Sequence, residues 1–347
     1  MKVAKLYSFN DIRIEDIPVP EIGPGDALIK TKASGICSGD VMPWYIEKKA
    51  PLVLGHEPAG EIIKAGRNVA TFKAGDRVAP HHHAPCLACK YCRRCNYVQC
   101  ETWKNTKIVP GGISEYILIP EINLKNDTLK LPDNVSFEDG TLVEPTACVL
   151  KGLKRSGFIL ENSYLHDRTV LIIGLGVMGQ LNILISKRLG AGRIIGADKV
   201  PYRLKKAKEF GADKVIDVSK ESLIDSLTRL TDGNLADLVI VGPNSVEAMQ
   251  EGISAAGAGG TVLFFTPAKP GEKLTIDPNH LYFNDINIVT SYSCGPAETK
   301  EAIDLIEEGV VSTEMLVTHR FPIEKTAEAF RLVAEAKESL KVLITFE

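Results

Sequence analysis

The chain has 347 residues, more than the roughly 250–300 at which one hydrophobic core stops growing, so two domains are expected. Its composition is 44% hydrophobic and 24% charged with a net charge of -3, which suits a globular protein and gives no basic footprint for nucleic acid. No run approaches the roughly 18 apolar residues of a membrane span, and the stretch from Met1 to Pro20 has no apolar leader core. The expected location is therefore the cytoplasm, where thiols stay reduced. Eight cysteines, five of them between 86 and 100, then read as metal ligands rather than disulfides.

Up to about residue 150 the chain alternates short β-type runs with Gly, Pro and Asp clusters. Ala27–Ala33 reads as a strand after the turn Gly23-Pro24-Gly25-Asp26, and Gly60–Ala65 as another, followed by Gly75-Asp76-Arg77-Val78. From about 168 the pattern changes. Val170–Ile173 is a short apolar strand, and a helical segment follows to Leu189. Arg193–Ala197, Lys214–Asp217, Leu238–Val241, Thr261–Phe265 and Ile286–Val289 read as further strands, with a helix over Tyr202–Phe210 between two of them. Helices are expected over Ala297–Glu308 and Lys325–Ala336. The fold class is α/β, with a β-rich first part and a doubly wound parallel sheet after it.

Gly174-Leu175-Gly176-Val177-Met178-Gly179 is a G-x-G-x-x-G between an apolar strand and a helix, the setting in which it cradles a dinucleotide. The glycines permit a tight turn and a close approach to pyrophosphate, and the helix start supplies free N–H donors. Asp198 closes the second strand about twenty residues further on, where a carboxylate binds ribose hydroxyls and repels a 2′-phosphate. This favours NAD over NADP, although Lys199 and Arg203 stand close by. Cys86, Cys89, Cys92 and Cys100 give C-x2-C-x2-C-x7-C, a set that encloses a structural zinc ion, with Cys95 as a fifth sulfur. Cys37, the pair His56-Glu57 and Glu144 lie far apart in sequence, and a lone cysteine such as Cys37 is more often a small core residue than a ligand.

These motifs together carry a resemblance. Gly55-His56-Glu57, two residues, Gly60, five residues, Gly66, two residues and Val69 reproduce the zinc signature of the zinc-dependent medium-chain alcohol and polyol dehydrogenases. The cysteine lobe and the glycine fingerprint follow in that family's order, and the resemblance covers essentially the whole chain. It implies a GroES-like catalytic domain over 1–150 with a zinc lobe at about 86–100, a Rossmann NAD-binding domain over 151–290, and a C-terminal return over 291–347. It further implies that Cys37 and His56 bind a catalytic zinc, that Glu57 binds it or stands beside a ligand, and that Glu144 falls at the last ligand position. The Glu144-Pro145 pair is similar to the sorbitol and threonine dehydrogenase branch, in which Asp198 and Arg203 match the residues that hold the adenosine ribose.

The chain departs from the family pattern where a Ser or Thr normally passes the alcohol proton: Gly39 stands there, with Ser38 one place early. Met42 stands where many members have histidine. On an extended segment Ser38 would point away from Cys37. His83 matches an active-site histidine of threonine dehydrogenases and, with an ordinary imidazole pKa, would suit the proton-accepting role, whereas His81 and His82 read as loop residues. Lys151 is either a pocket residue or a surface lysine, and Trp44 and Tyr45 are either pocket walls or plain core.

The reaction so implied is zinc-assisted hydride transfer between a secondary alcohol or polyol, or its ketone, and NAD, in a cleft between the domains. Alternatives are a carbonyl reductase running in reverse and a zinc- and nucleotide-binding protein that has lost turnover. The expected partners are a small-molecule alcohol and further copies of the chain, as a dimer or tetramer, with no nucleic acid and no membrane. Asp198→Ala should relax discrimination against NADP, measured as the ratio of kcat/KM for the two cofactors. A wild type that already favours NADP contradicts the reading of Asp198.

Overall fold

The computed structural model describes residues 1–158 and 165–347. The chain forms two compact units, one of Met1–Ala147 with Ser293–Glu347 and one of Cys148–Tyr292. Residues 159–164, inside the expected nucleotide domain, lie outside the described residues. No helix among the described residues is long and apolar enough to cross a membrane.

In the first unit, seven strands form one sheet. Its order is Val317–Pro322, Lys341–Thr345, Ala27–Gly35, Glu57–Ala65, Arg77–Pro80 and Thr128–Lys130, with Tyr116–Ile119 also paired to Ala27–Gly35. A three-stranded sheet of Asp11–Asp16, Lys2–Ser8 and Leu52–Val53 accompanies it. The β-branched Ile29 and Thr31 and the small residues Ala33, Ser34 and Gly35 suit a strand flanked on both sides. Ile29, Ile62, Val78, Ile117 and Ile119 bury their side chains in one core cluster. The C-terminal strand runs antiparallel to Ala27–Gly35, with Leu343 opposite Gly35 and Thr345 opposite Ala33. The last residues of the chain thus reach the strand that precedes Cys37. The strands Val317–Pro322 and Lys341–Thr345 are absent from the sequence reading, because a charged residue heads one and a proline ends the other.

Among the described residues, the second unit holds six parallel strands in the order Lys214–Asp217, Arg193–Asp198, Thr169–Ile173, Ala236–Val241, Ala256–Phe264 and Asn287–Thr290. The first connections run one way from Thr169–Ile173 and the later ones the other way. Right-handed crossovers therefore put helices on opposite faces, and the order reverses beside Thr169–Ile173. Leu171, Ile195, Val239, Val241 and Val262 form the core between strands and helices. The helices Leu223–Leu230 and Val246–Ser254 are additions to the sequence reading; each begins on a serine whose hydroxyl accepts from the backbone N–H three residues on.

The turn after Thr169–Ile173 depends on glycine. Gly174 has φ +86°, a region that costs other residues. A Cβ on Gly179 would overlap the Gly174 carbonyl oxygen, so helix and turn approach as closely as backbones can. Gly179→Ala should cost about 1–3 kcal/mol as overpacking and weaken NADH binding, read by thermal melting and fluorescence titration. An unchanged Tm with unchanged NADH affinity would contradict this account of the turn.

Candidate catalytic centre, zinc lobe and nucleotide site

Cys37 follows the strand Ala27–Gly35 and caps a 3-10 turn at Ser38–Val41, its Sγ accepting from the Gly39 N–H at 3.3 Å. Cys37 itself is extended, at φ -80° and ψ 139°, and the chain turns from Ser38 onward, so the two do not form one extended segment. A Cβ on Gly39 would lie 3.5 Å from Cys37 Sγ, so a side chain at 39 would face the thiol and its absence leaves that space open. His56 sits at a bend after Gly55, whose φ is +87°, and Glu57 opens the next strand. Donor atoms of Cys37, His56 and Glu57 all lie within 4.8 Å of one another.

Three partners of this group escaped sequence reasoning. Asp40 Oδ2 lies 3.2 Å from His56 Nδ1. Burial opposes a charged His56, but Asp40 and Cys37 outweigh it and raise the pKa well above the usual imidazole value. Lys341 Nζ pairs with Glu57 Oε2 and donates to the Ile36 carbonyl at 3.2 Å. Burial pushes the Glu57 carboxyl up, Lys341 and His56 pull it down, and Glu144 adds to the rise. The His82 ring centroid is 4.9 Å from that of His56.

Glu144 stands in the first turn of the helix Val143–Arg155 and groups within 4.8 Å with His81 and His82, outside the Cys37 group. His83 Nδ1 contacts the Thr106 carbonyl, and its ring lies 4.3 Å from Trp103. Burial lowers its pKa to about 4, so the expected ordinary imidazole value does not hold. Trp44 and Tyr45 are half-buried and meet edge to face at 5.8 Å. Lys151 is buried rather than a surface lysine, donating to the Tyr292 carbonyl at 2.7 Å.

Four sulfurs, of Cys86, Cys89, Cys92 and Cys100, also lie within 4.8 Å of one another. Adjacent pairs are 3.5, 3.6 and 4.0 Å apart. Four thiolates around a tetrahedral zinc at Zn–S ≈ 2.3 Å stand about 3.8 Å apart, so this lobe fits the ion. Burial works against a Cys100 thiolate, but N–H groups of Cys86 and Trp103 bring its pKa down to about 6. Cys95, at φ +55°, is exposed and accepts from the Tyr97 hydroxyl at 3.6 Å.

In the second unit, Asp198 Oδ2 accepts from the Leu175 N–H at 2.6 Å and Oδ1 from the Val200 N–H at 2.8 Å. The carboxylate thus fixes the glycine turn, with Arg203 Nη1 3.9 Å away. The helix Val177–Arg188 starts at Gly176 with no side-chain cap, leaving the N–H groups of Val177, Met178 and Gly179 without capping oxygens. The nearest atom to a Cβ on Gly176 would be Arg203 Nη1 at 3.8 Å, so that side of the turn is open. Arg203 Nε is buried without a hydrogen-bond partner. Free donors and an orphaned guanidinium nitrogen around an open backbone cradle fit a pyrophosphate-bearing cofactor. For the lobe, Cys95→Ser should keep its metal and stability, whereas Cys89→Ser should lose both, in metal analysis and thermal melting. The opposite pattern would redraw the ligand set.

Residues 23–133 match the alcohol dehydrogenase GroES-like domain family, and residues 177–308 match the zinc-binding dehydrogenase family. Sorbitol dehydrogenase of Mus musculus is 33% identical over 346 residues, covering 96% of this chain and 92% of its own. The structure of 2R,3R-butanediol dehydrogenase from Bacillus subtilis aligns with a TM-score of 0.86 at 26% identity, over 100% of this chain and 99% of that one. That of an alcohol dehydrogenase from Escherichia coli CFT073 complexed with NADH aligns with a TM-score of 0.87 at 26% identity, over the same shares. Matches in both units, with such identity over nearly the whole length, identify the chain as a member of the zinc-dependent medium-chain alcohol and polyol dehydrogenases, a family of zinc- and NAD-linked oxidoreductases.

Proposed function

We propose that this chain oxidises a secondary alcohol of the polyol class with NAD, and that Cys37, His56 and Glu57 hold the zinc ion at which the substrate hydroxyl reacts. The observation that carries the reading is the convergence of one thiol, one imidazole and one carboxylate within 4.8 Å. Such a set leaves a position for substrate. When bound, zinc supplies the Lewis acidity that lowers the hydroxyl pKa, and NAD supplies the hydride acceptor.

The chain's own residues set the geometry. Asp40 Oδ2 stands 3.2 Å from His56 Nδ1, which leaves Nε2 for the metal. Lys341 pairs with Glu57 and orients its carboxylate. Gly39 has no side chain to pass the alcohol proton, so the proton leaves by another route. The candidates are Glu57 and the histidine run, in which the rings of His82 and His83 stand 4.2 Å apart. With its pKa near 4, His83 is a weak acceptor at neutral pH, and burial also lowers His82 well below the ordinary imidazole value, which favours Glu57. The same residues serve ketone reduction, with direction set by the cofactor ratio. In the second unit, Asp198 and Arg203 are the proposed contacts to the adenosine ribose, beside the turn from Gly174 to Gly179.

A homo-oligomer is part of the proposal. Tyr282 and Phe283 are 77% and 74% exposed next to the edge strand Asn287–Thr290, which suits a self-contact. Eight cysteines without a disulfide suit a reducing, cytoplasmic location.

A screen of polyols, cyclitols, sugars, amino-alcohols and simple alcohols, followed by NADH absorbance, tests the substrate class. Polyols should give the highest kcat/KM, and turnover confined to primary alcohols would overturn the reading. Cys37→Ser and His56→Ala should each abolish turnover with the best substrate while NADH still binds. Retained turnover in either variant would remove that residue from the zinc centre.

A further inference from the structure

The chain leaves the proposed zinc centre at Cys37 and returns to it at His56. Between them it makes three short helical turns, Ser38–Val41, Pro43–Ile46 and Glu47–Lys49, before the strand Leu52–Val53. Donor atoms of Cys37 and His56 lie within 4.8 Å of each other, so both ends of this excursion are tethered beside the place where the alcohol reacts. Its charged residues are Asp40, Glu47, Lys48 and Lys49. Both acids are engaged, Asp40 with His56 Nδ1 at 3.2 Å and Glu47 as acceptor from the Phe9 N–H at 3.0 Å.

The two lysines gather on an aromatic pair. Lys49 Nζ lies 3.6 Å from the Tyr45 ring centroid. Lys48 Nζ lies 5.4 Å from the same ring and 5.8 Å from that of Trp44. Both lysines are exposed. Cation–π attraction draws them to the ring, but two ammonium groups around one ring also repel each other. A shared anion answers both charges at once.

His82 connects this excursion with the centre. Its ring centroid is 4.9 Å from that of His56, and Lys49 is close enough to act on its charge. Burial and then the imidazoles of His81, His56 and His83 and the Lys49 ammonium all oppose its protonation. Lys107 acts on His83 in the same sense. The potential on this side is positive. His82 adds an independent observation, because its Nδ1 is buried without a hydrogen-bond partner among the described residues. Buried polar atoms are rarely left so, and a substrate oxygen supplies the missing partner.

We propose that Lys48 and Lys49 bind a terminal anionic group of the substrate, with His82 contacting an oxygen of its chain, and that the substrate is a polyol phosphate. A phosphate monoester carries nearly two negative charges near neutral pH and so matches two ammonium groups, whereas a carboxylate carries one. Lysine binds phosphate as a point charge and needs no fixed fork geometry, which suits flexible side chains at an exposed rim. Trp44 and Tyr45 then serve as the platform that gathers the lysines. This deepens the reading of the chain as a zinc- and NAD-linked polyol dehydrogenase and rests on it.

The test gives the full-length protein and NAD one polyol in three forms: neutral, as its terminal phosphate ester, and as the corresponding aldonate. Kinetics yield kcat/KM for each form, and calorimetry reports binding without turnover. The ester should exceed the neutral polyol in kcat/KM by about tenfold or more, mostly through KM, because a remote charge contact acts on binding. That advantage should shrink as ionic strength rises. Lys49→Gln and Lys48→Gln should each reduce it severalfold, whereas Lys49→Arg, which keeps the charge, should retain most of it. A neutral polyol turned over as well as its ester overturns the proposal, as does an advantage that survives in both Gln variants. A preference for the aldonate over the ester overturns the phosphate assignment. If no form is turned over while the ester alone binds, the anion site stands and the reading of the chain as a polyol dehydrogenase fails.

Discussion

Buried negative charge is the constraint on which the first unit depends. Asp40, Glu57 and Asp127 are all removed from solvent, and an ionised carboxylate in that position costs several kcal/mol unless a partner answers it. Each has one: His56 for Asp40, Lys341 for Glu57, and His81 with Thr299 for Asp127. The Lys341 and Glu57 side chains are each 1% exposed, so losing either partner alone leaves a stranded charge, at about 3–5 kcal/mol. This pair explains why the chain must return. Lys341 reaches Glu57 because the C-terminal strand pairs with Ala27–Gly35. Gly35 makes the room, since a Cβ there would overlap Glu57 Oε2 and lie 2.7 Å from Lys341 Cε.

The second unit solves a different problem with backbone. The turn after Thr169–Ile173 carries no side chain at Gly174, Gly176 or Gly179, and the helix that follows starts without a side-chain cap. Asp198 is bound to that turn through the Leu175 N–H before any ribose is considered. Its carboxylate holds the loop, and each oxygen retains a lone pair for the ribose contact proposed above.

Legibility follows sequence separation. The cysteine lobe and the glycine fingerprint are local, and their spacing is the geometry, so both could be read directly. The parallel strands could be read because their apolar runs are bounded by turn residues. The pairing of Cys37 with His56-Glu57 came only through family resemblance, because nothing local links them. Asp40, His81, His82, Asp127 and Lys341 were missed as partners. The contacts His81–Asp127 and Lys341–Glu57 span 46 and 284 residues, and they exist only once the sheet has assembled. The one available signal was His81-His82-His83 itself, where the reading chose His83. The alternation of direction along the chain puts His82 against His56 instead, and turns His83 to Trp103.

The central claim is that the buried acid and thiol of Glu57 and Cys37 are compensated by a metal as well as by Lys341. Anomalous diffraction at the zinc edge from crystals of the purified protein tests it most directly. The account expects one peak enclosed by Cys86, Cys89, Cys92 and Cys100, and another about 2.3 Å from Cys37 Sγ and about 2.0–2.1 Å from a His56 nitrogen. A zinc-filled cysteine lobe with no anomalous density between Cys37 and His56 would contradict it.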